Sequence, residues 1–273
     1  MRLINLRPSR STLVLLAMLP FVLTVLAYVV GSDIRRADNP RDKLLPAPAA
    51  VVERAAEMAT EPDRRSQTIL LWADTWASLQ RLAIGVGAAA ALALVLGLVI
   101  GLLPIARAGL ASYVAFLSLI PPLALLPILF IVFGLGETSK IVLIAIGITP
   151  FLVRDLSQRV LEIPQEQLVK AQTLGASTWQ IAIRVALPQI APRLVQAVRL
   201  SLGPAWLFLI AAEAIAAQEG LGYRIFLVRR YLAMDVILPY VCWITLLAFA
   251  IDWSLKRLSE RAFAWAHAEG ESL

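Results

Sequence analysis

Apolar runs long enough to cross a bilayer recur along this chain, and they leave it few folds. Thr12 to Val30 carries no charge and is interrupted only by Pro20. Leu82 to Leu103, Tyr113 to Phe133, Ile141 to about Leu156, Leu194 to Ala217 and Val236 to Leu255 repeat the pattern with few charges. Roughly 20 apolar residues, at 1.5 Å each along a helix, cross the hydrocarbon. Lipid offers no partner to backbone N–H and C=O groups, so each run must satisfy its own backbone as a helix. The expected fold class is all-α, a polytopic membrane protein with six transmembrane helices. The chain is 59% hydrophobic and only 16% charged, where a soluble domain carries about 25% charge.

The net charge of +6 raises nucleic acid as a partner. The basic residues are scattered, however, and no aromatic-interleaved basic run occurs, so nucleic acid is not expected. Extra Lys and Arg in a membrane protein mark the cytoplasmic side. Cys242 and His267 are each alone, which leaves no intrachain disulfide, no Cys or His metal cluster and no serine–histidine chemistry. No stretch has the spacing of a phosphate-binding loop. GLGETSK, from Gly134 to Lys140, is too short between its glycine and lysine and reads as a loop between spans. No catalytic residue, metal or cofactor is therefore expected on this chain.

Taken in order, residues 1–31 begin with Arg2, Arg7 and Arg10 and read as a retained transmembrane helix, N-terminus inside, rather than a cleaved signal. Residues 32–80 are extracytoplasmic: charged and Pro-rich, with a short surface helix over Ala50 to Ala59. An interfacial helix follows over Thr68 to Arg81, carrying Trp72 and Trp76 one turn apart. Residues 81–260 form the membrane core, with a cytoplasmic loop at 157–190, and 261–273 a cytoplasmic tail behind Lys256, Arg257 and Arg261. Gly97 and Gly101 make a small face for close helix packing. Pro121, Pro122 and Pro127 are expected to kink the third span and set it against a translocation path. On the spans Glu213 and, near a helix end, Asp252 are singled out as acids, and Trp206 and Glu213 are the further path candidates. Residues 218–235 form an outer loop with an amphipathic helix, in which Tyr223 and Arg224 are solvated.

The stretch from Glu166 to Pro188, EQLVKAQTLGASTWQIAIRVALP, is too polar for lipid. Leu168, Ala171 and Leu174, then Ile181 and Val185, recur at helical spacing. Gly175 marks a turn between two short helices, and Pro188 is expected to end the second. The stretch resembles the cytoplasmic coupling loop of the membrane subunits of binding-protein-dependent ABC importers. Their pattern is E-A-A, three residues, G, nine residues, I, one residue, L-P. Ala171, Gly175, Leu187 and Pro188 match at the right spacing. Val185 replaces the Ile, Val169 the Glu and Lys170 the first Ala. The resemblance assigns ATPase coupling to Lys170, Ala171, Gly175, Ala176, Leu187 and Pro188.

From about Thr75 onward the order of elements resembles the core of a type I importer permease. The segment AAEAIAAQEGLGYRI, from Ala211 to Ile225, is similar to the nitrate, sulfonate and taurine branch. That implies two permease copies in a bacterial inner membrane, both termini cytoplasmic, in contact with lipid. It also implies two ABC ATPase subunits holding ATP and Mg, and a periplasmic or lipid-anchored solute-binding protein. LLPAPAAVV, TWASLQRL, IPPLALLPILFIVFGLGE, KAQTLGASTWQ, GPAWLFLIAAEAI and GLGYRIFLVRRYLAMDVILPY together resemble permeases encoded beside urea or guanidine carboxylases. The cargo implied is then either guanidinium or urea, with Glu213 and Trp206 in the path, or a small sulfonate or nitrate anion. For an anion Glu213 is a poor lining group and should bond Arg199 or a neighbouring helix. A secondary transporter driven by an ion gradient is the alternative; it would show interrupted helices repeated in both halves.

Overall fold

A computed structural model describes residues 9–39, 42–63 and 66–267, excluding the His267 side chain. Arg2, Arg7, Arg41 and residues 268–273 of the tail lie outside the described residues. The described residues contain no strand, and the fold is all-α. The helices are α1 Arg10–Asp38, α2 Pro48–Thr60, α3 Leu70–Leu102, α4 Pro104–Leu117, α5 Leu126–Phe133, α6 Glu137–Leu161, α7 Gln165–Thr173, α8 Thr178–Ile181, α9 Leu187–Ala216, α10 Leu221–Arg229, α11 Met234–Ala262 and α12 Ala264–His267. Five helical segments are long and apolar enough to cross a membrane: α1, α3, α6, Thr178–Ala216 and α11. A bent pair, Pro104–Leu117 with Pro122–Phe133, makes a sixth if taken as one span.

The chain divides into two compact units, residues 1–69 with 228–241, and residues 70–227 with 242–273. In the first, Ser9 caps α1 by accepting from the Thr12 amide at 3.3 Å. None of the apolar window of α1 is buried. Behind it the chain folds back: Tyr28 Oη donates to Pro46 O at 2.7 Å and Ser32 Oγ to Leu45 O at 3.0 Å. Arg35 and the Leu44 amide hold the Asp42 carboxyl below its ordinary pKa range. α2 starts at Pro48, whose missing N–H is harmless at a first helical position.

In the second unit three spans pack side by side. Gly85, Gly97 and Gly101 of α3 lie against Ile144, Leu156 and Val160 of α6. A Cβ on Gly97 would stand 2.7 Å from Leu156 Cβ, and one on Gly101 would overlap Val160 more closely still. This is the small face that lets two backbones approach in lipid, where dispersion rather than water expulsion holds helices together. Gly147 of α6 takes Phe208 of α9 in the same manner. We expect Gly101→Leu to force α3 from α6 at a cost of about 2 kcal/mol. A lowered midpoint of thermal unfolding in detergent would register it.

Three expectations are corrected by this unit. The interfacial helix and second span are one helix, α3, because neither Pro nor Gly interrupts its first four turns. The third span is not a single kinked helix. Its chain leaves helix after Leu117, makes a short 3₁₀ turn at Pro122–Leu125 and redirects by 83°. Pro121-Pro122 supplies no N–H for the ladder, and each proline disfavours helical dihedrals in the residue before it. Nor does Pro188 end a helix: α9 begins at Leu187 and runs through it.

Candidate functional site

The polar stretch folds into an elbow held by its own caps. After Thr173 the chain turns left-handed at Gly175, φ +82°. The Gly175 amide donates to Gln172 O at 2.9 Å and the Ala176 amide to Ala171 O at 3.0 Å. These two bonds close α7 with a Schellman motif, in which the left-handed residue strongly favours glycine. Ser177 then opens α8. Its Oγ accepts from the Gln180 amide at 3.3 Å, and Gln180 Oε1 accepts from the Ser177 amide at 2.8 Å. Ala176 alone separates the two caps, which leaves the elbow little slack. The spacing of Ala171 and Gly175 in the coupling pattern is thus the spacing of the two ends of a helix stop.

Beyond α8 the backbone widens into a π turn over Ala182–Ala186, and the Leu187 amide reaches back to Ala182 O. A proline at 188 has no N–H for the Arg184 carbonyl and its ring would crowd that oxygen in a regular helix; the extra residue in the turn gives it room. Lys170, Ala171, Gly175 and Ala176 sit in the elbow, whereas Leu187 and Pro188 sit at its base on α9. Gln189 Nε2 donates to Gln167 Oε1 at 3.1 Å and ties α7 to α9. No residue of α7 is buried. Leu174 is 81% exposed and Trp179 73% exposed, one on each side of Gly175. Neither is among the coupling residues named from sequence; large apolar side chains flanking the glycine of a polar hairpin are the signal for them.

At the far end of α9, about seven turns or roughly 40 Å from Leu187, lies a buried ionic cluster. Asp74, Ser78 and Arg81 recur on one face of α3 and all are buried. Arg81 Nη1 donates to Glu213 Oε1 at 2.7 Å and to Glu219 O at 2.9 Å. Its Nε and Nη2 form a fork onto Glu137, to which Lys140 Nζ also donates at 2.8 Å. Ser78 Oγ donates to Glu213 Oε1 at 2.7 Å. The start of α10 closes the cluster. The Gly220 amide donates to Asp74 Oδ1 at 2.8 Å, Leu221 to Ser78 Oγ at 2.9 Å and Gly222 to Glu213 Oε2 at 2.8 Å. Arg224 Nε pairs with Asp74 Oδ2 at 2.8 Å. Charges buried as Asp74, Arg81 and Glu213 are persist only when paired and hydrogen-bonded, and here they are. Gly220 has φ +124°, and a Cβ there would stand 2.6 Å from Glu213 Cδ. One on Gly222 would stand 2.7 Å from Ile210 O. The G-L-G of the segment is the close approach of α10 to α9.

Several expectations shift accordingly. Arg224 is not a solvated loop residue, since it pairs with Asp74. Of the two partners expected for Glu213, Arg199 is not one, since its fork closes on Asp252 at 2.8 and 2.9 Å, and a neighbouring helix is, through Ser78 and Arg81 of α3. Glu213 and Asp252 are not the only ionisable groups on the spans, because α3 and α6 start earlier than the apolar runs and bring Asp74, Arg81, Glu137 and Lys140 with them. Of the path candidates, Glu213 is fully buried and Trp206 is 5% exposed, its indole N–H buried without a hydrogen-bond partner. Pro121 and Pro122 mark the bend between α4 and α5, and the fold does not bring them into the cluster around Glu213.

Residues 80–263 match the family of binding-protein-dependent transport system inner membrane components. The chain is 36% identical over 225 residues to the taurine transport system permease protein TauC of Escherichia coli K12, covering 82% of this chain and 81% of that protein. It is 34% identical over 149 residues to the nitrate import permease protein NrtB of Synechococcus elongatus, 54% of this chain and 53% of that one. Its fold is similar to a chain of the MetNI methionine ABC transporter solved in inward-facing conformations, with TM-score 0.63, 23% identity, and coverage of 73% of this chain and 99% of that one. The chain belongs to the binding-protein-dependent transport family and is a non-catalytic, multi-pass inner-membrane permease subunit of an ABC importer, working with an ATPase and a solute-binding protein.

Proposed function

We propose that the chain lines the import path for a small sulfonate of the taurine type, driven by ATP and Mg bound on a separate ATPase. The observation that carries the coupling role is the elbow at Gly175, pinned by two caps while no residue of α7 is buried. A stiff, exposed elbow transmits a rigid-body push. Leu174 and Trp179 give it apolar anchors beside Lys170, Ala171 and Ala176, and Leu187 and Pro188 set it on α9. The elbow at 157–190 faces the cytoplasm, as do both termini. Residues 1–31 form an added span, 32–80 the external segment, 81–260 the core and 261–273 the tail. Two copies of this chain make the path within the lipid, and the external binding protein, periplasmic or lipid-anchored, delivers the solute.

Two observations support a sulfonate over guanidinium. A relative matched over 82% of this chain at 36% identity is a taurine permease. The one carboxylate proposed to meet a cation, Glu213, has its oxygens taken by Ser78, Arg81 and the Gly222 amide. We assign Glu213 to the scaffold and leave Pro121, Pro122 and Trp206 beside the path. Titrating the cognate binding protein with taurine, nitrate, guanidinium and urea tests the cargo. Taurine is expected to bind at least about ten-fold more tightly than the others, a difference of roughly 1.4 kcal/mol. Preference for guanidinium or urea would overturn the sulfonate assignment without touching the coupling role.

A further inference from the structure

One helical segment joins the two ends of the bundle. Thr178–Ala216 carries the coupling elbow at its base and Glu213 in its last turn. At that last turn three successive amides of the α10 start, Gly220, Leu221 and Gly222, are each held by a different buried side chain, two from α3 and one from α9. Arg81 bridges Glu213 of α9 to Glu137 of α6 and also holds the Glu219 carbonyl. We propose that Ser78, Arg81 and Glu213 are positioning residues that make α10 a rigid extension of α3 and α9, so that a loaded binding protein bearing on the α10 end moves the coupling elbow at the other. The proposal rests on the importer assignment above.

The physical reason lies in what sliding would expose. If α10 shifted by half a residue against α3, the Asp74 and Glu213 carboxylates and three amides would lose partners together, out of reach of water. Each buried orphan is expensive. The cluster therefore gives way as a unit or holds as a unit, and packed elements of this kind switch between discrete arrangements rather than bend. Glycine at 220 and 222 removes the side chains that would hold α10 off. A push on α10 is then a push on the top of α9, whose foot is the elbow.

The test uses the assembled transporter in proteoliposomes: permease, ATPase, and binding protein saturated with taurine or with whichever of the four solutes it binds. The readout is the ratio of ATPase turnover with loaded binding protein to turnover without it. Ser78→Ala removes two hydrogen bonds, the one donated to Glu213 and the one accepted from the Leu221 amide, and leaves every charge paired; we expect the ratio to fall at least about five-fold, each lost hydrogen bond being worth a factor of a few. Arg81→Gln is expected to bring the ratio to one, and Arg81→Lys, which can still face Glu213, to recover part of it. Wild-type ratios in the assembled variants would overturn the proposal. So would equal falls in both turnovers at an unchanged ratio, since that is the signature of a scaffold role only. Should Arg81→Gln not assemble, Ser78→Ala decides. A wild-type complex indifferent to its loaded binding protein sinks the importer assignment and takes this proposal with it.

Discussion

Gly175→Pro is expected to abolish solute uptake while the chain still inserts into the membrane. Position 175 sits at φ +82°, and a proline ring holds φ near −65°. The substitution also deletes the amide that donates to Gln172 O. The Schellman stop cannot form, and α7 is no longer held at a fixed angle to α8. A proline in an incompatible backbone costs about 3 kcal/mol or more, enough to depopulate the capped elbow more than ~100-fold at 1.4 kcal/mol per decade. ATPase turnover should no longer respond to the loaded binding protein. Gly175→Asn is the control, since asparagine tolerates the left-handed region, and it should retain most of the uptake. Normal stimulation and uptake in Gly175→Pro would show that the elbow does not transmit the stroke.

Glu213→Ala should have the largest effect on stability. The carboxylate accepts from Ser78 Oγ, Arg81 Nη1 and the Gly222 amide, and none of it is exposed. Removing one partner of a buried ion pair leaves the other charge uncompensated, at about 3–5 kcal/mol. Arg81 keeps Glu137, so the lower part of that range is expected. The thermal midpoint in detergent and the yield of monodisperse protein measure it. Glu213→Gln retains an acceptor for the Gly222 amide and should fall between the wild type and Glu213→Ala. If Glu213→Ala is as stable as the wild type, the cluster is not what holds α10 to the bundle.

The elbow was readable because its bonds are local. Ala171 meets Ala176, Gln172 meets Gly175, and Ser177 meets Gln180, all within five residues, so the spacing of residue types carries the geometry. The number of membrane segments was readable for a similar reason: lipid obliges each apolar run to form its own helix. The ends of those helices were not. Hydropathy places a boundary at the charged residue, whereas α3 runs past Arg81 to Leu70 because its polar face finds partners inside the bundle. Pro188 misled for the opposite reason. Its effect depends on whether the preceding turn can widen, and the π turn at 182–186 does.

The sequence alone determined an all-helical membrane permease with a polar, capped elbow at Gly175. Both follow from short-range rules, the backbone's need for partners in lipid and the capping of neighbouring turns. Only the tertiary structure decided that Arg81 faces Glu213, some 130 positions away, that Asp74 takes Arg224 and that Arg199 takes Asp252. Which charge meets which is set by how the helices are brought side by side, through close approaches such as that of Gly97 and Gly101 to α6. In a low-dielectric interior the pairing then follows from distance, a quantity that no spacing along the chain records.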